Sequence, residues 1–426
     1  MRELDRVIGY ESIKAELYRI IDIIKNPEKY KKLGVTFPKG ILLSGEPGIG
    51  KTLMAKCFIK ETGLKNFIIR KDKPDGDFID FIRETFDKAA EEAPSIVLLD
   101  DLDKFANEDN MHRDAEEYVT VQACIDDYKD VDVIVLATCN NYRKLPDSLV
   151  RSGRIDKLFF MDFPNYEDAK KIIEFYLKKK KVGKDIDVEE IARFSEGHSC
   201  ADLETVINEA GTYAGYDNRK CISQDDIKKA VIRKIFNGSE IAENNPISTR
   251  RLAVHEAGHT VITELFFPGE VSFVSIETCS RGIKGLVRMI RDENRNEDFD
   301  NNEIRIMIDL AGKAATELIL NEIDMGANAD LHAAHSQMAK LWDNISAFDF
   351  QSWCHGPETS QLIYDHLDTI NGAELSRLYF KTKQLLGKNR AFLEEIIDLL
   401  IEKKTLSYKD IAPVREKHVP DHGAAA

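Results

Sequence analysis

The stretch "ILLSGEPGIGKT", residues 41–52, decides how the first half of this 426-residue chain is read. Three apolar residues run into a loop with three glycines, and the loop runs into the helix-spaced residues 53–57. Strand, glycine-rich loop and helix in that order make a cradle for phosphate. Gly45, Gly48 and Gly50 let backbone N–H groups curl around phosphate oxygens where Cβ atoms would obstruct them, and Glu46, Pro47 and Ile49 complete the loop. Lys51 is spaced to reach the β- and γ-phosphates, and Thr52 to place its hydroxyl on Mg²⁺. The helix opening at this point adds its positive end. ATP with Mg²⁺ is the expected ligand.

Further short apolar runs follow at 67–69, 96–99, 133–137 and 159–161, separated by helical patterns such as 80–92. Such runs read as parallel strands buried on both faces, so the expected fold class is α/β, a parallel αβα sandwich with ligands beyond the carboxyl ends of its strands. After residue 165 the strands stop. Four helical patterns, 168–177, 188–194, 201–213 and 224–235, suggest a small helical lid, and the polar "NGSEIAENNPIST", 237–249, reads as a linker. A mainly α-helical domain follows, with one β-like interruption at 271–290. The expected division is 1–164, 165–236, 237–249, 250–415 and a flexible tail, 416–426.

Composition narrows the function. A hydrophobic share of 43% with 32% charged residues is that of a globular protein, and a net charge of −15 argues against nucleic acid as a partner. The basic run 178–181 reads as a solvated helix face. Seven dispersed cysteines share no metal-ligand spacing and fit a reducing compartment. No apolar run approaches the roughly twenty residues needed to span a bilayer. A cytoplasmic, soluble chain is expected.

About fifty residues beyond the glycine loop, "SIVLLDDLD" ends an apolar strand in two acids. Asp100 would hold Mg²⁺ through its water shell, and Asp101 would polarise the attacking water. "VLATCNN" places Asn140 at the end of another buried strand, beside the γ-phosphate, and "LVRSGRID" carries Arg151 and Arg154 outside the sheet.

The run "NPEKYKKLGVTFPKGILLSGEPGIGKT", with "LLDDLD", "ATCN" and "RSGRID", resembles an AAA+ ATPase module. With "HEAGH" farther on, the chain from about residue 7 to 411 is similar to the cytosolic part of an FtsH-type ATP-dependent zinc metalloprotease. The resemblance implies a homohexameric ring that threads and cleaves protein substrates. It also implies that Arg151 and Arg154 act as arginine fingers on a neighbouring subunit's ATP.

"HEAGH" puts His255 and His259 four residues apart, hence on one helix face, where both imidazoles can grip one Zn²⁺. Glu256 lies beside them as a general base for water, and the small Ala257 and Gly258 let another element pack close. A catalytic zinc needs a third protein ligand. The resemblance points to Asp330, in "DMGANADLHAA", at the opening of a helix. His332 and His335 are the competing donors, and a helix beginning at Asp330 turns His332 to roughly the opposite side. Between these elements "VSFVSIETCSRGIKGLVRM", 271–289, reads as a hairpin. Its edge could receive a peptide by strand addition, or be a plain edge guarded by Arg281, Lys284 and Arg288.

The chain departs from the family in three ways. Asp101 stands where the family has Glu, one methylene longer. The stretch "RKDKPDGDFIDF", 70–81, replaces the aromatic-apolar-Gly pore loop, with Phe78 as the nearest aromatic. Transmembrane segments that precede the ATPase module in the family are not in this chain, so a membrane enters only through a native upstream anchor. Two further readings stand beside the unfolding protease: a zinc peptidase that ATP merely assembles, and a non-proteolytic remodelling ring.

Overall fold

The computed structural model describes residues 2–34, 38–71, 75–106, 115–151, 153–235, 246–278, 284–290, 295–296, 298–322, 327–345 and 361–419. They form two compact units, residues 1–188 with 195–223, and residues 189–194 with 224–426.

The first unit is built on five parallel strands: β1 (Gly40–Ser44), β2 (Lys65–Ile69), β3 (Ser95–Leu99), β4 (Val133–Cys139) and β5 (Lys157–Phe160). Their order in the sheet is β2-β3-β4-β1-β5. Alternate residues feed two separate cores. Ile41, Leu43, Ile96 and Leu98 pack on one face, and Leu42, Val97, Leu99 and Val135 on the other. This is why the central strands read as unbroken apolar runs. Only β1, β3 and β4 are buried throughout; β2 and β5 are edge strands with exposed residues. Burial of all five on both faces is therefore corrected, because a short apolar run does not report how many neighbours its strand has.

Helices α1 (Glu11–Lys25), α2 (Pro27–Lys31), α3 (Lys51–Thr62), α4 (Asp75–Glu91) and α5 (Ala115–Asp127) accompany the sheet. The four helical patterns that follow become α6 (Tyr166–Leu177), α7 (Val188–Phe194), α8 (Cys200–Tyr216) and α9 (Gln224–Ile235). Of these, α6 and α8 belong to the first unit, and α9 with nearly all of α7 to the second.

The start of α4 overturns one expectation. Residues 72–74 lie outside the described part, but from Asp75 the chain is already helical, and Phe78 is 0% exposed. Its ring meets Phe105 edge-on at 5.2 Å. Phe78 is a core residue, not a displaced pore aromatic.

In the second unit α10 (Pro246–Phe266) packs against α11 (Phe299–Leu320) and α14 (Arg390–Lys403). Residues 253–264 of α10 are buried on every side, so this stretch has no solvent-facing side. A small antiparallel sheet in the order β7-β6-β8 is formed by β6 (Val271–Thr278), β7 (Lys284–Met289) and β8 (Thr405–Ser407). The hairpin reading of 271–289 is thus met, although Arg281 lies outside the described residues. Helices α12 (Asn328–Ile345), α13 (Gln361–Lys388) and α15 (Tyr408–His418) complete the unit. Of the stretch read as a linker, 237–245 lies outside the described residues and 246–249 is already α10. The tail 420–426 is likewise outside, whereas residues 416–418 are helical. Among the described residues no helix is long and apolar enough to cross a membrane.

Phe78→Ala is expected to destabilise the first unit by about 3–5 kcal/mol, the usual cost of emptying a buried phenyl site, read from denaturant unfolding followed by a probe in that unit. Unchanged stability would return Phe78 to the surface.

Candidate functional site

Register brings the nucleotide residues together. Ser44 lies opposite Cys139, and Leu99 opposite Ala137, so the turns after β1, β3 and β4 leave the sheet at one end. Gly45 has φ +151°, and a Cβ there would collide with the carbonyl oxygen of Met161. Lys51 is 6% exposed and donates from Nζ to the main-chain oxygens of Gly45 and Glu46, both at 2.7 Å. Burial pulls its ammonium below the ordinary lysine range. The loop also touches helix α8, whose Ala201 N–H donates to Gly48 O at 3.1 Å.

Asp100 is the centre of this site. Its Oδ1 accepts from Thr52 Oγ1 at 3.0 Å and from Thr138 Oγ1 at 2.9 Å, while Oδ2 pairs with the Arg70 guanidinium. Burial alone would raise its pKa, but the hydroxyls of Thr138 and Thr52 and the guanidinium hold it below the ordinary carboxylate value. Thr52 and Asp100 offer the hard oxygen donors that suit Mg²⁺ beside a triphosphate.

Asp101 adopts a left-handed conformation, φ 58°, fixed by its N–H donating to Thr138 Oγ1 at 2.9 Å. Its carboxylate is 25% exposed and pairs with Lys104 at 2.7 Å. Asn140 is held through its main chain, its N–H donating to Asp103 Oδ1 at 3.1 Å.

The two arginines part company. Arg151 is exposed. Arg154 is not the exposed arginine that its sequence setting suggests: its side chain is 6% exposed and forks onto Asp126, with Nε to Oδ1 at 2.9 Å and Nη2 to Oδ2 at 2.6 Å. A carboxylate 28 residues upstream in sequence but adjacent in the fold accounts for the difference.

In the second unit α10 presents His255, Glu256 and His259 at 9%, 6% and 9% exposure. From α12, Asp330 Oδ2 lies 3.0 Å from His255 Nε2 and 3.6 Å from His259 Nε2, and the two Nε2 atoms are 3.2 Å apart. Three donors about 2.0–2.1 Å from a tetrahedral zinc stand about 3.4 Å from one another, so this triangle has the size of one ion. The same three residues form the one group of metal-ligand geometry among the described residues. His332 and His335 are exposed and outside it.

The surroundings orient the donors. His259 Nδ1 lies 2.7 Å from Ile308 O, a contact that places the proton on Nδ1 and leaves Nε2 free for a metal. Asp330 is held well below the ordinary carboxylate range: burial opposes this, and the two imidazoles outweigh burial. Burial pushes Glu256 up to about 7. Helix α11 comes close because it offers Gly312, where a Cβ would stand 2.5 Å from His255 Cε1 and His259 Nε2. Strand β7 brings Gly285, with φ +121°, against Glu256, so that a Cβ there would strike its carboxylate. A cavity of about 260 Å³ opens beside Ile308, walled by Val287, Met289, Asp309 and Gln337. Burial raises Asp309 to about 7, and Gln337 Nε2 donates to its Oδ2 at 2.7 Å.

Several of these residues escape sequence reasoning. Thr138 was detectable as a polar residue inside an otherwise apolar strand. Arg70, Asp103, Asp309 and Gly312 carry no local signal, since each acts on a partner distant in sequence.

Comparison with known proteins bears on the whole chain. Residues 41–163 match the profile of the ATPase family associated with various cellular activities (AAA), 185–229 the AAA+ lid domain, and 244–414 peptidase family M41. An ATP-dependent zinc metalloprotease FtsH of Lachnoclostridium phytofermentans is 30% identical over 435 residues, covering 96% of this chain and 74% of the relative. The chain belongs to the FtsH family of ATP-dependent zinc metalloproteases. FtsH proteins of Helicobacter felis and Leptotrichia buccalis are each 29% identical, over 97% and 96% of this chain. The chain spans 70% of the former and 56% of the latter.

Gly312→Ala should cost most of the zinc bound by the purified protein, measured by metal analysis, while ATP binding by the first unit is retained. Full zinc content in this variant would mean that α11 yields easily at this point.

Proposed function

We propose that this chain is an ATP-dependent zinc endopeptidase acting on polypeptides, as a homohexameric ring that feeds substrate to its metal sites. The division into a nucleotide-binding part (1–164), a helical lid (165–236) and a peptidase part (250–415) follows that reading. The observation that carries it is the triangle of His255, His259 and Asp330 on a chain that also holds the glycine loop at Gly45–Thr52.

Zinc, when bound by His255, His259 and Asp330, supplies a Lewis acid that polarises the scissile carbonyl. Glu256 does the proton work. Its carboxylate sits in a dry setting next to the ligand imidazoles, takes a proton from the attacking water and returns it to the departing amine. The free edge of β7 can align a substrate strand by main-chain hydrogen bonds, and the cavity beside Ile308 can receive one of its side chains. In the nucleotide site, Lys51 and the loop N–H groups hold phosphates, and Thr52 and Asp100 hold Mg²⁺. Asp101 orients water, and Asn140 faces the γ-phosphate. Arg151 serves as the arginine finger, and Arg154 can join it only by leaving Asp126.

A second reading, an ATP-assembled peptidase without strong unfolding power, is favoured by two observations. Asp101 is a methylene short of glutamate, and no aromatic among the described residues of 70–81 is exposed.

Casein digestion with ATP, with a non-hydrolysable ATP analogue and without nucleotide separates these readings. Glu256→Gln is expected to lose about 10²–10⁴-fold in peptide cleavage while keeping ATPase activity, and Lys51→Ala to lose the ATPase. Casein cleavage that survives when a non-hydrolysable ATP analogue replaces ATP would favour the second reading, and cleavage unaffected by Glu256→Gln would end both. Asp101→Glu should accelerate ATP hydrolysis; an unchanged rate would show that side-chain length is not limiting.

A further inference from the structure

We propose that Arg70 is a built-in competitor for the magnesium ion of the nucleotide site. It would hold Asp100 until Mg·ATP displaces it and thereby set the magnesium concentration at which the site fills. The inference rests on Asp100 being the magnesium-side carboxylate.

Asp100 is 2% exposed, and every contact around it is a donor. Thr52 and Thr138 take Oδ1, and Arg70 Nη2 takes Oδ2. The oxygen that the two hydroxyls leave open is therefore already matched to a positive group. Arg70 stands directly after β2, and Asp100 N–H donates to Ile69 O at 3.0 Å, so the backbone itself sets the guanidinium beside the carboxylate. The two ends of the pair differ: the Asp100 side chain is 3% exposed, whereas that of Arg70 is 57% exposed. A largely solvated guanidinium can swing into water at little desolvation cost, while the buried carboxylate must keep a cationic partner. A divalent ion carried by ATP meets that need better than a monovalent one, and the exchange is reversible. Lys71, next in the chain, pairs with Glu117, which is 2% exposed, at 3.2 Å, so this strand end is anchored on its other side when Arg70 lets go.

The test is a magnesium titration of the binding of a fluorescent ATP analogue to the full chain, with hydrolysis measured in parallel. Arg70→Gln should lower the half-saturating Mg²⁺ concentration about tenfold, as when one charge-assisted hydrogen bond stops competing. Binding in EDTA should stay as in the wild type, and Arg70→Lys should keep most of the wild-type requirement. An unchanged or raised magnesium requirement in Arg70→Gln would overturn the proposal. So would a hydrolysis rate at saturating Mg²⁺ more than tenfold below wild type, which would assign Arg70 to the phosphates instead. Asp100→Asn separates the premise from the inference. It should abolish the magnesium dependence of binding and make Arg70→Gln silent. A wild-type magnesium dependence in Asp100→Asn would remove the premise itself. Thermal midpoints of each variant confirm that the fold is intact.

Discussion

The peptidase unit depends on how closely α10 and α11 approach each other. A Cβ on Gly258 would stand 2.5 Å from Ala311 O, and one on Gly312 the same distance from the imidazoles. Small residues on both helices remove the side-chain layer that normally separates two helix axes. Ile308 O then reaches His259 Nδ1, and the two Nε2 atoms are turned toward Asp330. Orientation of the donors is thus a product of backbone proximity.

The nucleotide unit follows a different logic, in which one buried carboxylate at the end of β3 gathers contributions from three other strands. Thr52 follows β1 through the glycine loop, Arg70 follows β2, Asp100 itself follows β3, and Thr138 belongs to β4. A parallel sheet delivers all of these ends to one side. A single acid can therefore sense the state of the whole edge.

What was legible in the sequence follows from this contrast. The glycine loop and His255-Glu256-xx-His259 are local patterns, whose chemistry is fixed by spacing along one loop or one helix turn, and both were read directly. Asp330 is 75 residues from His255 in sequence and came from family resemblance alone; the geometry now brings it within 3.0 Å. The central strands were visible because both of their faces are apolar, but edge and centre could not be separated in β2 and β5. Phe78 illustrates the limit from the other side. A charged, proline-containing stretch suggested a loop around it, yet hydrophobic residues at 78, 82 and 86 share one helix face and enter the core together. Arg154 was misplaced for the same reason: nothing near it in sequence announces Asp126.

Strand β8 joins the sheet from far along the chain. Its residues 405–407 pair with Phe273, Val274 and Ser275 of β6, and β6 in turn carries β7, whose Gly285 lies against Glu256. During synthesis the histidine helix emerges well over a hundred residues before the strand that steadies its opposite wall. The wall that carries Gly285 against Glu256 is therefore completed only when nearly all of the peptidase unit has been made.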